Sequence, residues 1–401
     1  MRTDTSKAMR LIKAGLLGGA LAMAMPASAD AAADGGQDSP FKLQGFLTVV
    51  GGQVLSGSLD RPLVTFPNVD DKYHCPCYIA DFANAGVYTK HLSFGPESHA
   101  GAQIDYTMLP YLTLTAQAIV RGNFPTPDLQ WAYLDYKFDS HWNVHAGRQR
   151  IPLYYYSDFQ DIGLAYPWIS PPPEVYGWEA TNYNGVSVRY HGLMGDISTS
   201  ASIYGGDEVV HNDRFTRLLF SFDTTVKWHQ IVGGNVEFNE GPWTLRSNII
   251  HTKVTWNGPN SYDGGNWNQL TFQKMLAYGV TLNYDADSWF VLSEWDKQIR
   301  NNYVGGYTEK SPVWTLGGGM RFGPWTPFVN YSHYGDHYTY ANLSNYPQTV
   351  YPNGGWSATL RYDIGSTSAV KVQYDSYWDQ SLGSVFSGDA KVLRVSFDHV
   401  F

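Results

Sequence analysis

Residues 112–121 read Leu112-Thr-Leu-Thr-Ala-Gln-Ala-Ile-Val-Arg121. Leu, Ala and Val alternate here with Thr and Gln, which is the period-two pattern of a strand with one apolar and one polar face. The same alternation recurs from Phe41 to the C-terminus, with no sustained 3.6-residue periodicity between the segments. A soluble β-sandwich also alternates, so a single segment does not separate a sandwich from a membrane barrel.

The connections between the segments separate these two architectures. Sixteen strands are predicted, at roughly 41–50, 99–109, 112–121, 130–138, 142–149, 184–190, 196–204, 231–239, 244–256, 272–285, 289–297, 313–322, 326–334, 355–362, 369–378 and 390–401. Every second connection is tight, as at Pro110-Tyr111 and Gly323-Pro324, whereas 51–98, 150–183 and 205–230 are long. Short turns on one side and long loops on the other are typical of outer-membrane barrels. The sequence therefore predicts an all-β, antiparallel transmembrane barrel over residues 41–401.

Composition excludes several other classes of protein. Only 16% of the residues are charged, aromatic residues reach 15%, and the formal net charge is -9. Soluble domains carry about 25% charged residues. Beyond residue 30 no apolar run approaches the ~20 residues of a membrane helix, which excludes a helical transporter. The acidic balance without a basic patch argues against nucleic-acid binding.

The first 29 residues have the features of a signal peptide. Basic residues precede an apolar stretch, and Ala27-Ser28-Ala29 fits the small-x-small cleavage rule. Cleavage would leave Asp30 as the mature start, with residues 30–40 as a short lead into the barrel. An uncleaved anchor is the weaker alternative, because the apolar stretch is short, rich in Gly and ends at Pro26.

Aromatic residues are predicted to form girdles at the two membrane boundaries. The first girdle lies beside the short turns: Tyr136, Phe138, Trp142, Phe238, Trp243, Tyr284, Trp289, Phe322 and Trp325. The second comprises Trp256, Trp295, Trp314 and Trp378, near the other strand ends. Filling of an interior core is the alternative use of these rings.

Strand phase also predicts which charges line the lumen. The inward basic residues are Arg121, Arg189, Arg246, Arg321, Arg361, Lys371 and Arg394, with Arg148 and Arg150 at the root of the 150–183 loop. Carboxylates at Asp105, Asp135, Glu237, Asp285, Glu294, Asp363 and Asp375 face the same way. Such charges either set the selectivity of a pore or pair locally on a water-filled wall.

The final strand, Leu393-Arg-Val-Ser-Phe-Asp-His-Val-Phe401, ends on Phe with apolar residues at alternate positions. It resembles the C-terminal signal that the barrel-assembly machinery reads in Gram-negative outer-membrane proteins. With sixteen strands, the chain as a whole resembles the bacterial porin family. The block from Gly147 to Gly177 is similar to a segment common in porin-like proteins of proteobacteria.

The resemblance implies that the third loop folds into the barrel as a constriction, and that three barrels form a trimer. Segment 150–183 fits that loop. Its acidic candidates are Asp158, Asp161 and Glu174, and its aromatic candidates include Tyr154, Tyr155, Tyr156, Phe159 and Trp168. Opposed to the basic wall, the carboxylates would create a transverse field that orients polar solutes. The rings would either pack the loop or offer a stacking path for sugars or aromatic acids, and packing is favoured because an irregular loop must be held by it.

The only cysteines, Cys75 and Cys77, lie in the long first loop. In an exported protein a local disulfide is favoured over a metal site with His74, because the spacing does not match a structural zinc site. His251 and His399 face outward by phase, where a lipase-type barrel enzyme would need a partnered Ser and His, and no partnering pattern is evident.

The sequence therefore predicts a porin in the bacterial outer membrane, in contact with lipid, through which small hydrophilic solutes and ions diffuse. No enzymatic activity, cofactor or metal is expected. The alternatives are a porin selective for sugars or organic anions and, in different classes, a barrel enzyme or an adhesin.

Overall fold

The computed structural model describes residues 39–59, 74–220, 223–257, 271–303, 306–340, 351–381 and 386–401. The predicted signal peptide lies outside these residues. The strands are β1 Phe41–Leu59, β2 Tyr78–Asp81, β3 Gly86–Tyr88, β4 His99–Leu109, β5 Leu112–Arg121, β6 Phe124–Lys137, β7 Trp142–Arg150, β8 Asn182–Met194, β9 Ile197–His211, β10 Thr225–Glu240, β11 Trp243–Asn257, β12 Thr271–Asp285, β13 Trp289–Asn302, β14 Tyr307–Met320, β15 Trp325–Tyr334, β16 His337–Tyr340, β17 Asn353–Ile364, β18 Ser368–Asp379 and β19 Gly388–Val400. Two short helices, α1 Pro173–Tyr176 and α2 Arg214–Phe220, lie in the long connections, with 3₁₀ turns at Ser157–Phe159 and Gly163–Ala165.

All strands except the β2–β3 hairpin form one antiparallel sheet that closes on itself. The first strand pairs with the last, for example Phe46 with Val400, and also with β4. Strands β15 and β16 occupy one position in the wall, because both pair with β14. The structure is thus a closed barrel of sixteen strands, which confirms the predicted fold. Closure leaves no unpaired sheet edge, as a structure that spans lipid requires.

The strands are longer than predicted, mainly towards the long loops. The alternation predicts 231–239 and 313–322, whereas β10 begins at Thr225 and β14 at Tyr307. In β10 a bulge between Trp228 and Ile231 interrupts the period-two pattern, which explains why its first half was missed. Among the short turns, Gly241 and Gly323 adopt φ values of 56° and 59°, a left-handed conformation that favours glycine.

The two faces of the wall differ as the alternation indicates. In β11 the outward Leu245 and Ile249 are exposed, while the inward Arg246, Asn248 and Thr252 are buried. Outward rings also contact one another beside the short turns, in the pairs Tyr111–Tyr136, Trp243–Tyr284, Tyr284–Trp289 and Trp325–Tyr362. This is the arrangement of an interfacial aromatic girdle.

One residue assigned to the second girdle was placed on the wrong face. Trp256 is paired with Val226, which is fully buried inside the barrel, and it packs against the interior cluster. Trp256 has the same phase as the inward Arg246, and it was assigned to the girdle from its position near the strand end, where rings also pack inside the barrel. Trp295 is exposed on the outer wall, as predicted. Among the described residues, no helix has the length and apolarity to cross a membrane.

Candidate functional site: the interior of the barrel

Residues 151–181, here called the inner loop, fold against the inward face of the wall. Leu153 and Trp168 are each 1% exposed and belong to one interior cluster with the wall residues Trp228, Ile250 and Phe328. Trp168 meets Phe328 edge-on, with ring centroids 5.0 Å apart. The inner loop therefore packs on apolar inward positions of the wall. The resemblance to porins implies a constriction loop at this place.

The loop's aromatic residues serve mainly to pack the loop itself. Tyr156 lies 5.3 Å from Trp168 and 5.4 Å from Phe159, and Tyr154 lies 5.0 Å from Tyr176. Tyr154, Tyr156 and Trp168 are buried, whereas the rings of Tyr155 and Phe159 are half-buried. Of the five candidates for a stacking path, only these last two retain accessible ring surface.

Cations on the wall bind the backbone of the inner loop. The Lys371 ammonium donates to the carbonyl oxygens of Gly163, at 2.6 Å, and Trp168. Arg361 donates to the carbonyls of Leu164 and Tyr166, both at 2.9 Å. Carbonyls in an irregular loop lack a ladder partner, so these side chains supply hydrogen-bond donors to the loop from the wall.

Arg246 makes the same kind of contact. Its guanidinium donates to the Pro152 carbonyl at 2.9 Å, and it lies 4.0 Å from the Glu237 carboxylate on the neighbouring strand. The sequence predicts these cations on the inward face, and it gives no sign that they contact backbone oxygens of the loop.

The loop carboxylates are held differently from one another. Asp161 forms ion pairs with both Arg121, at 2.8 Å, and Arg150. Glu174 accepts a hydrogen bond from Ser332 at 2.8 Å, and Asp158 is half-buried. Asp161 therefore contacts the wall arginines directly, whereas a transverse field would need the carboxylate and the arginines to face each other across the pore.

Burial raises the pKa of Glu174 to about 7, against hydrogen bonds from its own backbone N–H and from Ser332 that lower it. Desolvation disfavours the charged carboxylate more than these donors stabilise it. The side chain therefore titrates near neutral pH while anchoring α1 to β15.

Arg394 joins three parts of the molecule. Its guanidinium contacts Glu97 of the first loop at 2.7 Å, Ser170 of the inner loop at 3.1 Å and Asp375 of β18 at 2.9 Å. The side chain is 1% exposed, so these charge-assisted bonds lie in an environment that water does not screen. Sequence reasoning predicted Arg394 as pore-lining and gave no sign of Glu97.

The first loop also enters the barrel, which the sequence did not predict. Tyr78 and Tyr88, on the β2–β3 hairpin, are buried in a cluster with Val54, Tyr377 and Val392 of the wall. A disulfide joins Cys75 to Cys77, and Cys77 packs in an adjoining cluster with Leu218 of α2. Within the described residues no group of three His, Cys, Asp or Glu side chains could hold a metal ion.

A small polar cavity of about 20 Å³ lies between the inner loop and β15–β19. Glu174, Asp375 and Arg394 line it together with the rings of Tyr78 and Trp168. Hydrogen-bonding groups and aromatic rings thus border a space with room for about one water molecule, far smaller than a site for a small solute.

The remaining predicted cations lie away from this cavity. Arg148 pairs with Glu208 at 2.8 Å, and Arg321 pairs with Asp285 at 2.5 Å beside a short turn. Arg189 faces inward, is half-buried and contacts Ser187, and it forms no ion pair with a described carboxylate.

A Ser–His pair does occur on the outer face, contrary to the expectation from sequence. The Ser368 hydroxyl lies 2.8 Å from Nδ1 of His399, in directly opposed positions of β18 and β19. The His399 ring is flanked by Phe397 and Phe401. No described carboxylate or amide orients the second nitrogen of this ring, so the third member of a hydrolase triad is missing from the described part of the chain.

No protein-family model matches this chain, and no curated protein does. Its structure is similar to several solved barrels. In-vitro folded OmpT, an outer membrane protein of Vibrio cholerae in a trimer form, aligns with a TM-score of 0.56 and 11% identity over 90% of this chain and 99% of that one. OmpF of Salmonella typhi, in a complex with daunomycin, gives 0.55 and 12% over 90% and 97%.

The anion-selective porin from Comamonas acidovorans gives a TM-score of 0.52 and 12% identity, over 90% of this chain and 99% of that porin. The chain therefore has the fold of a porin-like outer-membrane barrel, as the sequence predicted. At such identities the similarity extends to the fold alone.

Proposed function

We propose that this protein is a porin of the bacterial outer membrane, through which small hydrophilic solutes and ions diffuse passively. The observation that carries the proposal is the combination of a closed barrel, an apolar outer wall and a polar lumen narrowed by a docked loop. A barrel whose lumen is polar and partly filled transports solutes according to size and charge.

We expect the channel to prefer cations. Asp105, Asp135 and Asp158 are half-buried carboxylates in or beside the lumen, and Arg189 is an inward, half-buried cation without an ion pair among the described residues. Most other inward cations form ion pairs with carboxylates, Arg361 with Asp363 and Lys371 with Asp398 among them. The local field, and not the total charge, sets selectivity.

The test is single-channel recording of the refolded protein in a planar bilayer under a salt gradient. Stepwise conductance with a reversal potential of the sign for cations is the expected result. A potential of the opposite sign would refute the cation preference alone. Correctly folded protein without conductance would refute the porin function and favour an adhesin or an enzyme.

The half-buried rings of Tyr155 and Phe159 support a second candidate, a porin selective for sugars. These two rings retain accessible surface in the inner loop, on which a sugar face can stack. Addition of disaccharides to the chamber would then block the ionic current in a concentration-dependent way. Replacement of Phe159 by Ala should abolish this block and leave the conductance measured without sugar unchanged.

We do not propose an enzyme, because the Ser368–His399 pair has no orienting third residue in the described part of the chain. Hydrolysis of a phospholipid or ester substrate by the wild type, lost in Ser368→Ala, would contradict this.

We infer a trimer from the similarity to porin-like barrels. A heat-sensitive high-mass band in mild detergent is expected, and a monomer by light scattering would refute the trimer. Sequencing of the mature N-terminus should give Asp30 if the signal peptide is cleaved as proposed.

A further inference from the structure

Five lysines lie on the outward face of one half of the wall, near the long-loop ends of the strands. Lys227 is on β10, Lys253 on β11, Lys274 on β12, Lys297 on β13 and Lys310 on β14. We call them the basic row. Lys227, Lys274 and Lys310 are exposed, and the other two are half-buried.

The register places these charges close together. Lys253 is directly opposite Lys274 across the β11–β12 pair, and Lys227 is the diagonal neighbour of Lys253, opposite Thr255. Side chains in directly opposed positions have Cβ atoms about 5 Å apart, and like charges there destabilise the sheet. The Lys274 ammonium also lies 5.2 Å from the ring centroid of Tyr303.

No carboxylate among the described residues forms an ion pair with a lysine of the basic row. The lipid-facing neighbours below the row are apolar: Val232, Ile249 and Val280 are all exposed on the same strands. The row therefore sits at the border between the apolar band and the long loops, where the headgroups of the surrounding lipids lie.

We propose that the basic row binds phosphate groups of lipid headgroups, with a phosphomonoester bridging Lys253 and Lys274. A phosphomonoester carries more than one negative charge at neutral pH and several acceptor oxygens, so it can contact both ammonium groups and relieve their repulsion. A lipid, and not a solute in the channel, is the occupant, because these side chains point away from the lumen and border the apolar band.

The test uses the full-length protein in a non-ionic detergent, with phosphatidic acid, diacylglycerol and inorganic phosphate as probes and lipid adducts measured by native mass spectrometry. Phosphatidic acid should bind, and Lys253→Gln/Lys274→Gln should weaken that binding about 30-fold, since each lysine near a membrane surface contributes roughly fivefold. The matched control, Lys42→Gln/Lys391→Gln, removes the same charge elsewhere and should bind as the wild type does.

Three outcomes would overturn the proposal. Equal affinity of the Lys253/Lys274 variant would remove the row as the site, and equal binding of diacylglycerol would remove the phosphate as the ligand. Inorganic phosphate that displaces the lipid completely at equal concentration would make this a site for a free ion. Folding of each variant is checked by its heat-dependent gel mobility. Conductance in neutral lipid should be unchanged, so failure here is distinct from failure of the porin function.

Discussion

Replacement of Lys371 by Met should release the inner loop from the wall. The ammonium is fully buried and holds two loop carbonyls and the Asp398 carboxylate, 3.2 Å away. Removing one partner of a buried ion pair costs about 3–5 kcal/mol, because the other charge stays buried without compensation. Each hydrogen bond to a charged donor accounts for about 1.5–3 kcal/mol of such a loss. We therefore expect the free energy of unfolding to fall by about 4 kcal/mol.

Two measurements test this expectation. Denaturant unfolding of the refolded protein in detergent gives the free energy, and single-channel recording should show larger or more frequently fluctuating conductance because the loop is less firmly held. In the double variant Lys371→Met/Asp398→Asn part of the loss should be recovered, since the orphaned carboxylate becomes neutral and keeps its hydrogen bond from Thr48. A single variant within about 1 kcal/mol of the wild type, with unchanged current, would refute the role of Lys371.

Three further predictions concern other parts of the barrel. The pKa of Glu174 is raised from 4.5 to about 7 in the folded chain, so the free energy of unfolding should fall by on the order of 3 kcal/mol as pH rises from about 4.5 to above 7. In Glu174→Gln this loss should be absent from pH-dependent unfolding curves. In Gly45→Ala the new Cβ would lie 2.3 Å from the Phe401 ring, so the ring must move. We expect the free energy of unfolding in denaturant to fall by about 1–3 kcal/mol and refolding to be slower. Unchanged values would show that the ring moves freely. Arg189→Gln should shift the reversal potential further towards cations than Arg121→Gln does, since Arg121 is already paired with Asp161, and equal shifts would contradict this difference.

Much of the wall was predictable because each strand lies between two different environments. In residues 112–121 lipid on one side and the lumen on the other impose the alternation, and β5 begins and ends where the sequence places it. Beyond the lipid the constraint weakens. The segment Thr225–Gln230 contains Trp228, which is fully buried in the interior, and a bulge shifts the phase there.

The interior was predictable only in outline. Inward phase identified Arg394 and Lys371, because phase depends on neighbours along one strand. Their partners depend on how distant segments meet, and Glu97 is 297 positions from Arg394. The local sequence around either residue gives no information about such a long-range contact. The inner loop was expected inside the barrel from a resemblance to porins, and not from any periodicity of its own.

The contacts of the inner loop imply an order of events during assembly. Lys371, Gln373 and Arg394, which hold Gly163, Ile169 and Ser170, belong to the last two strands of the chain. The last of them, β19, completes the wall by pairing with the first strand. The contacts at Gly163, Ile169 and Ser170 can therefore form only once the last two strands have joined the wall, so this part of the inner loop docks as the barrel closes.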